Sequence, residues 1–493
     1  MMNKQDSCTG CGKCRSAQSM TMAQPAVYQD ISKESVALLM EEICGTRYVF
    51  TDADYLAEYG KDQAMGLQYD FDILVKPASA EQISEILKVC NKHGIPILPR
   101  GGGSGVTGGA VPCKGGIVLS LERLNAILSI SDTDGYVIAE SGVITDDLCN
   151  AVAAHGLYFP VAPTSSAYSF IGGNVAENAG SVRSCKYGTT ADYVLNMEVV
   201  LPSGTIIWTG ANVMKNSSGF NLTQLFTGSE GVLGIITKVV YKLLPAPVGE
   251  VVLLTAFGTL EEACEAVIAI KRSGLQPSVV ELICRNALDL TTAVIPGLPV
   301  VHDRVAAQLL IELQALAHDH LTQLQEQLAV LLEKYTSEPI LAGESASEKE
   351  HLRKLRSSIG SAMSANGGKY RDIDMSVPLS HLYAYIREVE SICRQYDVQL
   401  VCFGHAMDGN LHTMLLLPPQ MPDEQEKKFN KAVSEIYRYG VSKGGVISGE
   451  HGIGLLQKEF MRLQFPEAHL SLMKGIKTMF DPNGILNPGK IFY

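Results

Sequence analysis

Apolar residues recur with two different periods along this chain, and the change of period divides it into segments. A helical pattern follows Ser79, an N-cap candidate because Gln82 stands three residues later, and Gly94 is expected to end this helix. An earlier helix is predicted to begin at Ser32 or Lys33. Short β-like runs separated by glycine-rich turns then continue to about residue 245. They lie at 95–98, 117–121, 137–140, 197–201 and 235–243, with one helix over 146–155.

After residue 245 the pattern changes to longer strand–helix pairs. A strand over 251–256 with a helix over 260–273 is followed by a similar pair at 307–313 and 321–335. This weak duplication is typical of a sheet covered by helices on one face. Further helices are predicted at 347–364, 379–395, 423–443 and 469–480, and further strands at 399–403 and 413–417.

The elements predict an α+β fold without regular βαβ winding. We divide the chain into four parts. These are an N-terminal cysteine-containing extension (1–30), a cofactor-binding domain (31–245), a substrate or cap domain (246–444) and a C-terminal return that packs on the cofactor domain (445–493).

Composition narrows the function classes. The 493 residues are 46% hydrophobic and 19% charged, which fits a globular protein of two or three domains. The net charge of -12 argues against a general nucleic-acid binder, because binding phosphates requires a basic face. We find neither an apolar run that would span a bilayer nor a signal peptide. The 12 cysteines are too sparse for a disulfide scaffold, so we expect a cytoplasmic location, with peripheral membrane association left open.

A glycine-rich loop at residues 100–109 directly follows a predicted strand. Its sequence, Arg100-Gly-Gly-Gly-Ser-Gly-Val-Thr-Gly-Gly, lets successive backbone N–H groups converge on an anion such as a pyrophosphate. The dinucleotide-binding fingerprint of α/β folds is a poor match, because a strand over 117–121 follows instead of a helix. A glycine-rich turn without a ligand is the alternative interpretation.

Three further segments, at 163–180, 186–190 and 226–236, accompany this loop in order. The set resembles the FAD-binding fold of vanillyl-alcohol oxidase and p-cresol methylhydroxylase from about residue 52 to 245. The resemblance implies that the loop holds the pyrophosphate, that 163–180 approaches the flavin and that 230–236 lies near the adenine half. Some members attach FAD through a histidine where this chain has Ser104, so we expect non-covalent FAD. The predicted FAD-binding residues are Arg100, Gly101, Gly102, Gly103, Ser104, Gly105, Thr107, Gly108, Pro163, Thr164, Gly172, Gly173, Asn174, Asn178, Ala179, Gly180, Gly188, Glu230, Gly231, Gly234, Ile235 and Ile236.

Two histidines flank a turn near the C-terminal end of the chain. His405 and His412 stand on either side of Asp408-Gly409, so a hairpin would direct both imidazoles to one point. Glu450 follows in a second glycine-rich turn, residues 448–454. Two histidines and one carboxylate with an open position suit zinc, iron(II) or manganese. The alternative is that these histidines are hydrogen-bonded turn residues.

These segments and the ending 480–490 resemble the glycolate oxidase, D-lactate dehydrogenase and D-2-hydroxyglutarate dehydrogenase family. The resemblance implies a divalent metal on His405, His412 and Glu450. It also implies that His451 is the base, that Asn410 contacts the substrate and that Arg356 binds its carboxylate. The family commonly has glycine where this chain has Met407. A family lysine before residue 374 is displaced, and Lys369 or Arg371 are the candidates to replace it.

The sequence therefore predicts an FAD-dependent dehydrogenase of a small D-2-hydroxy acid. Met407 and the displaced lysine favour D-lactate or glycolate over a dicarboxylate. Electrons would pass to an electron-transfer flavoprotein, an iron–sulfur subunit or a quinone, and a homodimer stays open. The alternatives are a D-2-hydroxyglutarate dehydrogenase, a flavin enzyme of the same fold acting on a phenol or an aldose, and a non-catalytic flavin-binding subunit.

A cysteine motif opens the chain. Cys8, Cys11 and Cys14 have the spacing of the first three ligands of a four-iron ferredoxin cluster, but the usual fourth Cys-Pro is missing. An iron–sulfur cluster is one interpretation. A vestigial motif, a zinc site that lacks a ligand and a simple tail are the others.

Overall fold

A computed structural model describes residues 26, 28–298, 301–336, 338–365, 368–417 and 421–492. Cys8, Cys11 and Cys14 lie outside the described residues, so the cluster interpretation stays a prediction.

The first part of the fold is a four-stranded sheet with strand order β1-β2-β4-β3. Two of its strands, β2 and β3, run parallel to β4 on either side of it. Its strands are β1 (Val49–Phe50), β2 (Ile73–Val75), β3 (Ile97–Arg100) and β4 (Ile117–Ser120), and its helices are α1 (Lys33–Cys44), α2 (Ala53–Ala57) and α3 (Ala80–His93).

The sequence predicted α3 correctly at both ends. Ser79 is the N-cap and accepts a hydrogen bond from the backbone N–H of Gln82, and Gly94 ends the helix with φ +63°. Local interactions therefore define both ends of this helix.

The second part is a five-stranded antiparallel sheet with order β5-β6-β10-β8-β9. A two-stranded ribbon of β7 and β11 accompanies it. The strands are β5 (Ile127–Ser131), β6 (Tyr136–Glu140), β7 (Leu157–Tyr158), β8 (Val194–Val200), β9 (Ile206–Trp208), β10 (Ile235–Lys242) and β11 (Leu244–Pro245), and the helices are α4 (Thr145–Ala153), α5 (Ile171–Glu177), α6 (Ser184–Tyr187) and α7 (Leu222–Phe226).

The third part is a seven-stranded antiparallel sheet with order β15-β12-β14-β13-β17-β18-β16. Its strands are β12 (Gly249–Phe257), β13 (Val279–Cys284), β14 (Ala307–Ala315), β15 (Leu341–Gly343), β16 (Lys369–Ser376), β17 (Gln399–His405) and β18 (Asn410–Leu417). The helices that accompany it and the C-terminal return are α8 (Leu260–Ser273), α9 (Arg285–Val294), α10 (His318–Leu332), α11 (Ala346–Ser357), α12 (Ile359–Ala365), α13 (Leu382–Tyr396), α14 (Asp423–Ser442), α15 (Met461–Gln464) and α16 (Glu467–Phe480).

One hydrophobic core joins the last two sheets. It includes Val137 and Val239 of the five-stranded sheet and Leu309 and Leu411 of the seven-stranded sheet. This continuous packing fixes the position of the seven-stranded sheet relative to the five-stranded sheet. The domain boundaries drawn from the sequence stay a prediction.

Two predictions of secondary structure need correction. The single helix predicted over 347–364 is two helices, α11 and α12, divided at Ser358. The strand β13 was not predicted, because Glu281 interrupts a short apolar run that is buried along its whole length.

Within the described residues, none of the helices combines the length and the apolar character that crossing a membrane requires.

Candidate functional site

A cavity of about 820 Å³ lies between the glycine loop and one face of the seven-stranded sheet. Gly101 and Gly173 line one end, and Arg356, His405 and His451 line the other. The segments that the sequence assigned to FAD and to the metal therefore share one cavity.

Most of the predicted FAD-binding residues line this cavity. They are Gly101, Gly102, Gly103, Ser104, Gly105, Pro163, Thr164, Gly172, Gly173, Asn174, Ala179, Gly180, Glu230, Gly231, Gly234, Ile235 and Ile236.

Five predicted FAD-binding residues do not line it, and their role toward FAD stays a prediction. Arg100 turns its guanidinium to the carbonyl of Ala110, and Asn178 accepts a hydrogen bond from the N–H of Ala191. The Thr107 hydroxyl donates to the carbonyl of His451. The other two, Gly108 and Gly188, supply backbone turns with φ +78° and +84°.

Close backbone packing explains why glycine is needed at this end. A Cβ on Gly102 would stand 2.2 Å from the carbonyl oxygen of Tyr168, and one on Gly172 would stand 2.5 Å from the Cβ of Ser141. A side chain at Gly102 or Gly172 would push the facing segment, at Tyr168 or Ser141, away. This part of the cavity wall is therefore formed by backbone without side chains.

The other end of the cavity is built by strand register. Glu281 pairs with His405 across β13 and β17, and Phe403 pairs with His412 across β17 and β18. Asp374 also pairs with His412, across β18 and β16. Because residues paired across antiparallel strands point to the same face, four strands direct these side chains toward the cavity side of the sheet.

The predicted metal ligands converge on one point. The Nε2 atom of His405 is 3.2 Å from Oε1 of Glu450, and the Nε2 atom of His412 is 3.5 Å from the same oxygen. One ligand atom from each residue lies within 4.8 Å of the others. The turn predicted at Asp408-Gly409 joins β17 to β18 as expected, so the hairpin hypothesis is confirmed.

The opposite ring nitrogens of both histidines face carboxylates. His405 Nδ1 is hydrogen-bonded to Glu281, and His412 Nδ1 lies 3.7 Å from Asp372. Metal-bound histidines generally present their second nitrogen to a carboxylate in this way, which fixes the ring and the tautomer. The donor set and its surroundings therefore fit a divalent metal.

A second group of side chains overlaps the first. Asp372, His412 and His451 also bring one ligand atom each within 4.8 Å of the others. His412 belongs to both groups, so a metal ion at one group would use a different nitrogen of this ring from a metal ion at the other.

Two carboxylates hold the loop that carries Glu450 and His451. Asp374 Oδ2 accepts backbone N–H groups from Gly449, Glu450 and His451 at 3.0, 2.9 and 2.8 Å. Glu230 accepts the N–H groups of the two residues at 453 and 454, at 2.7 and 2.6 Å. The loop is thus fixed from the sheet on one side and from the N-terminal half on the other.

Electrostatics match this arrangement. Burial alone would raise the pKa of Glu450, but His405 and the other two imidazoles lower it to about 2. Burial would lower the pKa of His451, but Asp374, Asp372 and Glu450 raise it above its ordinary value. The site therefore favours an ionised Glu450 surrounded by imidazoles.

At the FAD end, two carboxyl groups meet, and neither forms a salt bridge with a residue of the described ranges. Burial and the neighbouring Glu230 raise the pKa of Glu177 well above its ordinary value, and Glu177 Oε2 has no hydrogen-bond partner among the described residues. Both carboxyl groups lie against Gly452, where an added Cβ would meet both.

Arg356, the predicted carboxylate-binding residue, lies in the last turn of α11. Its Nε donates to Glu281 Oε2 at 2.6 Å, and its guanidinium lies 4.5 Å from the centre of the Phe403 ring. No hydrogen bond from Nη1 or Nη2 to a described residue is present, and the side chain lines the cavity. The terminal nitrogens are therefore available to a substrate carboxylate.

Four other residues that the sequence placed near the substrate do not line the cavity. They are Asn410, Met407, Lys369 and Arg371. The Asn410 amide donates to Asp374 at 2.7 Å, behind the loop and outside the cavity lining, so it supports the site. Met407 is 4% exposed and packs in the core, which removes the argument from Met407 to an aliphatic substrate tail. Lys369 and Arg371 do not line the cavity, whereas Asp372 does.

Sequence reasoning did not identify the part that four carboxylates play in the geometry of the site. Glu281, Asp372 and Asp374 received no role, and Glu230 was assigned to FAD alone. An acidic residue inside an apolar strand, as in β13, was the only local signal.

Two family models match separate parts of the chain. The family model described as "FAD linked oxidases, C-terminal domain" matches residues 246–491, and that described as "FAD binding domain" matches residues 71–210.

Three curated relatives cover most of the chain. The chain is 35% identical to the glycolate oxidase subunit GlcD of Bacillus subtilis, covering 88% of the chain and 92% of the relative. It is 36% identical to a D-lactate dehydrogenase of Archaeoglobus fulgidus, covering 85% and 91%. It is 31% identical to a D-2-hydroxyglutarate dehydrogenase of Stutzerimonas stutzeri, covering 90% and 96%.

Among solved structures, p-cresol methylhydroxylase with bound substrate superposes with a TM-score of 0.74 at 17% identity, covering 94% of this chain and 98% of that chain. The predicted α+β fold of the vanillyl-alcohol oxidase and p-cresol methylhydroxylase type is confirmed.

Proposed function

From the premise that this chain belongs to the family of FAD-linked oxidases, we propose that it oxidises a small D-2-hydroxy monocarboxylate to the 2-oxo acid. D-lactate and glycolate are the simplest candidates. The observation that carries this proposal is the single cavity that joins the glycine-lined FAD end to Arg356, Glu450 and His451.

Arg356 and His451 have the groups that binding and deprotonation require. The two terminal nitrogens of Arg356 bind the substrate carboxylate and orient the α-carbon. His451 Nδ1 lies 3.4 Å from Asp372 and 3.6 Å from Asp374, so Nε2 is the atom that accepts the hydroxyl proton. Asp374 and Glu230 keep the backbone of this loop in place.

Two groups complete the chemistry. We propose that His405, His412 and Glu450 hold a divalent metal, which supplies positive charge that makes a hydroxyl more acidic. Non-covalent FAD, when bound, supplies the acceptor for the hydride that leaves the α-carbon. Ser104 lies in the cavity lining, and residues 100–109 contain no histidine for a covalent link.

A small monocarboxylate is favoured because Arg356 is the only Lys or Arg among the cavity-lining residues. A second substrate carboxylate would lose its hydration without gaining a cation, at a cost of several kcal/mol. The alternative, a D-2-hydroxyglutarate dehydrogenase, is supported by the relative from Stutzerimonas stutzeri.

We further propose that the electrons leave to a second protein, either an electron-transfer flavoprotein or an iron–sulfur subunit, or to a quinone. The name of the Bacillus subtilis relative, a subunit, supports a protein acceptor. A reducing cytoplasmic compartment is supported by the free thiols of the cysteines in the described ranges.

Anaerobic reduction of the purified holoenzyme tests the proposal. D-lactate or glycolate should bleach the flavin absorbance, and L-lactate should not. His451→Gln should slow bleaching while the FAD content is kept, and His320→Gln, at an exposed helix position, is the matched control. Failure of every 2-hydroxy acid to bleach the flavin would favour the non-catalytic subunit instead.

A further inference from the structure

Asp372 introduces a negative charge at the substrate end of the cavity. In β16, alternate residues point to opposite faces, so Tyr370, Asp372 and Asp374 share the cavity side. Ile373 and Met375 on the other face pack in the core. The same alternation directs Lys369 and Arg371 away from the cavity.

The two oxygens of Asp372 have different surroundings. Oδ2 lies 3.4 Å from His451 Nδ1 and 3.7 Å from His412 Nδ1. Oδ1 is buried and has no hydrogen-bond partner among the described residues. A buried carboxylate oxygen without a donor is costly. The Asp372 side chain as a whole is 13% exposed and lines the cavity, and rotation of the carboxylate exchanges its two oxygens, so a donor brought by a ligand removes that cost.

The charges that line the cavity are unevenly distributed. Arg356 is the one permanent cation in the lining, and Asp372 and Glu450 are the anions beside it at the same end. Arg356 suits the carboxylate at C1 of the substrate. The remaining carboxylate, Asp372, repels a second substrate carboxylate and attracts a hydrogen-bond donor.

We propose that Asp372 selects the substrate tail by accepting a hydrogen bond from a tail hydroxyl, so that the preferred substrate is a hydroxylated 2-hydroxy monocarboxylate. This inference rests on the proposed function, which it narrows. The simplest substrates of this class are D-glycerate, with its hydroxyl on C3, and D-2,4-dihydroxybutyrate, with its hydroxyl on C4.

Matched pairs of substrates test the proposal. The efficiency kcat/KM for anaerobic flavin reduction is compared within two pairs, D-glycerate against D-lactate and D-2,4-dihydroxybutyrate against D-2-hydroxybutyrate. At least one hydroxylated acid should exceed its partner by about tenfold to a hundredfold, the range of a hydrogen bond to a charged acceptor. Equal efficiencies within both pairs would overturn the proposal and leave the proposed function standing.

The variant Asp372→Ala identifies the residue responsible. It removes the hydrogen-bond acceptor, so the ratio of kcat/KM between the hydroxylated acid and its partner should fall to about one. A ratio measured within one variant cancels any general effect on His451, whereas Asp54→Ala, on an exposed helix, should keep the wild-type ratio. A preference that survives in Asp372→Ala would overturn the assignment.

An equilibrium measurement separates recognition from turnover. Hydroxypyruvate and pyruvate are titrated into the oxidised holoenzyme, and binding is followed by the change in flavin absorbance. If the C3 pair shows the kinetic preference, hydroxypyruvate should bind about tenfold more tightly in the wild type and equally in Asp372→Ala. In that case, equal affinity of the wild type for hydroxypyruvate and pyruvate would show that Asp372 does not recognise the substrate tail.

Measuring the metal content of Asp372→Ala tests the competing role of Asp372 as a metal ligand. If Asp372, His412 and His451 formed the metal site, Asp372→Ala would lose the metal. Because Asp372 faces Nδ1 of the proposed ligand His412, its removal should weaken metal affinity but leave the site filled at saturating metal. Failure of Asp372→Ala to bind metal even at saturation would assign Asp372 to the metal and overturn its role in substrate selection.

Discussion

The two ends of the cavity are built by different means. At the FAD end, the wall is backbone, packed so closely that a Cβ on Gly102 would stand 2.2 Å from a carbonyl oxygen. At the substrate end, side chains supply the chemistry, including His405 and Asp372 from strands and Glu450 from the 448–454 loop.

The difference follows from what each end must bind. FAD carries its own redox chemistry and an anionic pyrophosphate, so bare N–H groups in a close-fitting wall suffice. The hydroxyl group of the proposed substrate, a 2-hydroxy acid, does not ionise unaided at neutral pH, so the protein must supply charge and a base. Substitutions at one end should therefore impair one function and leave the other intact.

The largest effect is expected from His405→Ala, at the substrate end. Loss of an imidazole that converges on Glu450 should remove the metal and lower kcat/KM by at least about a thousandfold. FAD content should stay unchanged, because the glycine-lined wall is untouched. Elemental analysis and flavin reduction measure this, with His320→Ala as control. Full activity in metal-free protein would contradict it.

Gly102→Ala should have the opposite effect, impairing the FAD end of the cavity and leaving the substrate end intact. The added methyl group meets the backbone of Tyr168, so the loop must shift and FAD affinity should fall by about tenfold to a hundredfold. Metal content should stay unchanged. Fluorescence titration of FAD measures the affinity. Gly475→Ala is the control, because no atom lies within 4 Å of its added Cβ. Simultaneous loss of metal would mean that the two ends are not independent.

A smaller effect is expected from Asp374→Asn. The amide replaces one acceptor oxygen of a carboxylate that receives three backbone N–H groups of the 449–451 loop. The free energy of unfolding should fall by about 1.5–3 kcal/mol, and kcat should fall about tenfold as His451 loses its position. Denaturant unfolding and steady-state kinetics measure the two. Lower stability with unchanged kcat would make Asp374 purely structural.

The smallest effect concerns Glu177 at the FAD end. Burial raises its pKa, so the folded protein retains a proton that the unfolded chain releases above about pH 4.5. Stability therefore falls as pH rises above that value, and Glu177→Gln should remove this decline. The melting temperature of the holoenzyme at pH 5, 7 and 8.5 checks it, with the variant gaining most at high pH. Parallel curves for both proteins would show that Glu177 does not bind this proton.

Local patterns in the sequence determined much of the fold. The caps at Ser79 and Gly94, the Asp408-Gly409 turn and the glycine loop act through neighbours a few residues away, and the structure contains each as expected. The two glycine turns also indicated His405, His412 and Glu450 as candidate metal ligands, and the family resemblance added the role of His451; these residues converge in space.

Tertiary structure alone decided how these residues are supported. Glu281 is 124 residues from His405, and Asp374 is 77 residues from His451, so no local pattern links them. Strand register joins Glu281 to His405, and the packing of the 448–454 loop on β16 joins His451 to Asp374. A single sequence does not state which strands pair or which loop packs on which strand. The same reason explains Asp372 and Met407, because the strand alternation and the packing of the sheet decide which side chain reaches the cavity and which enters the core.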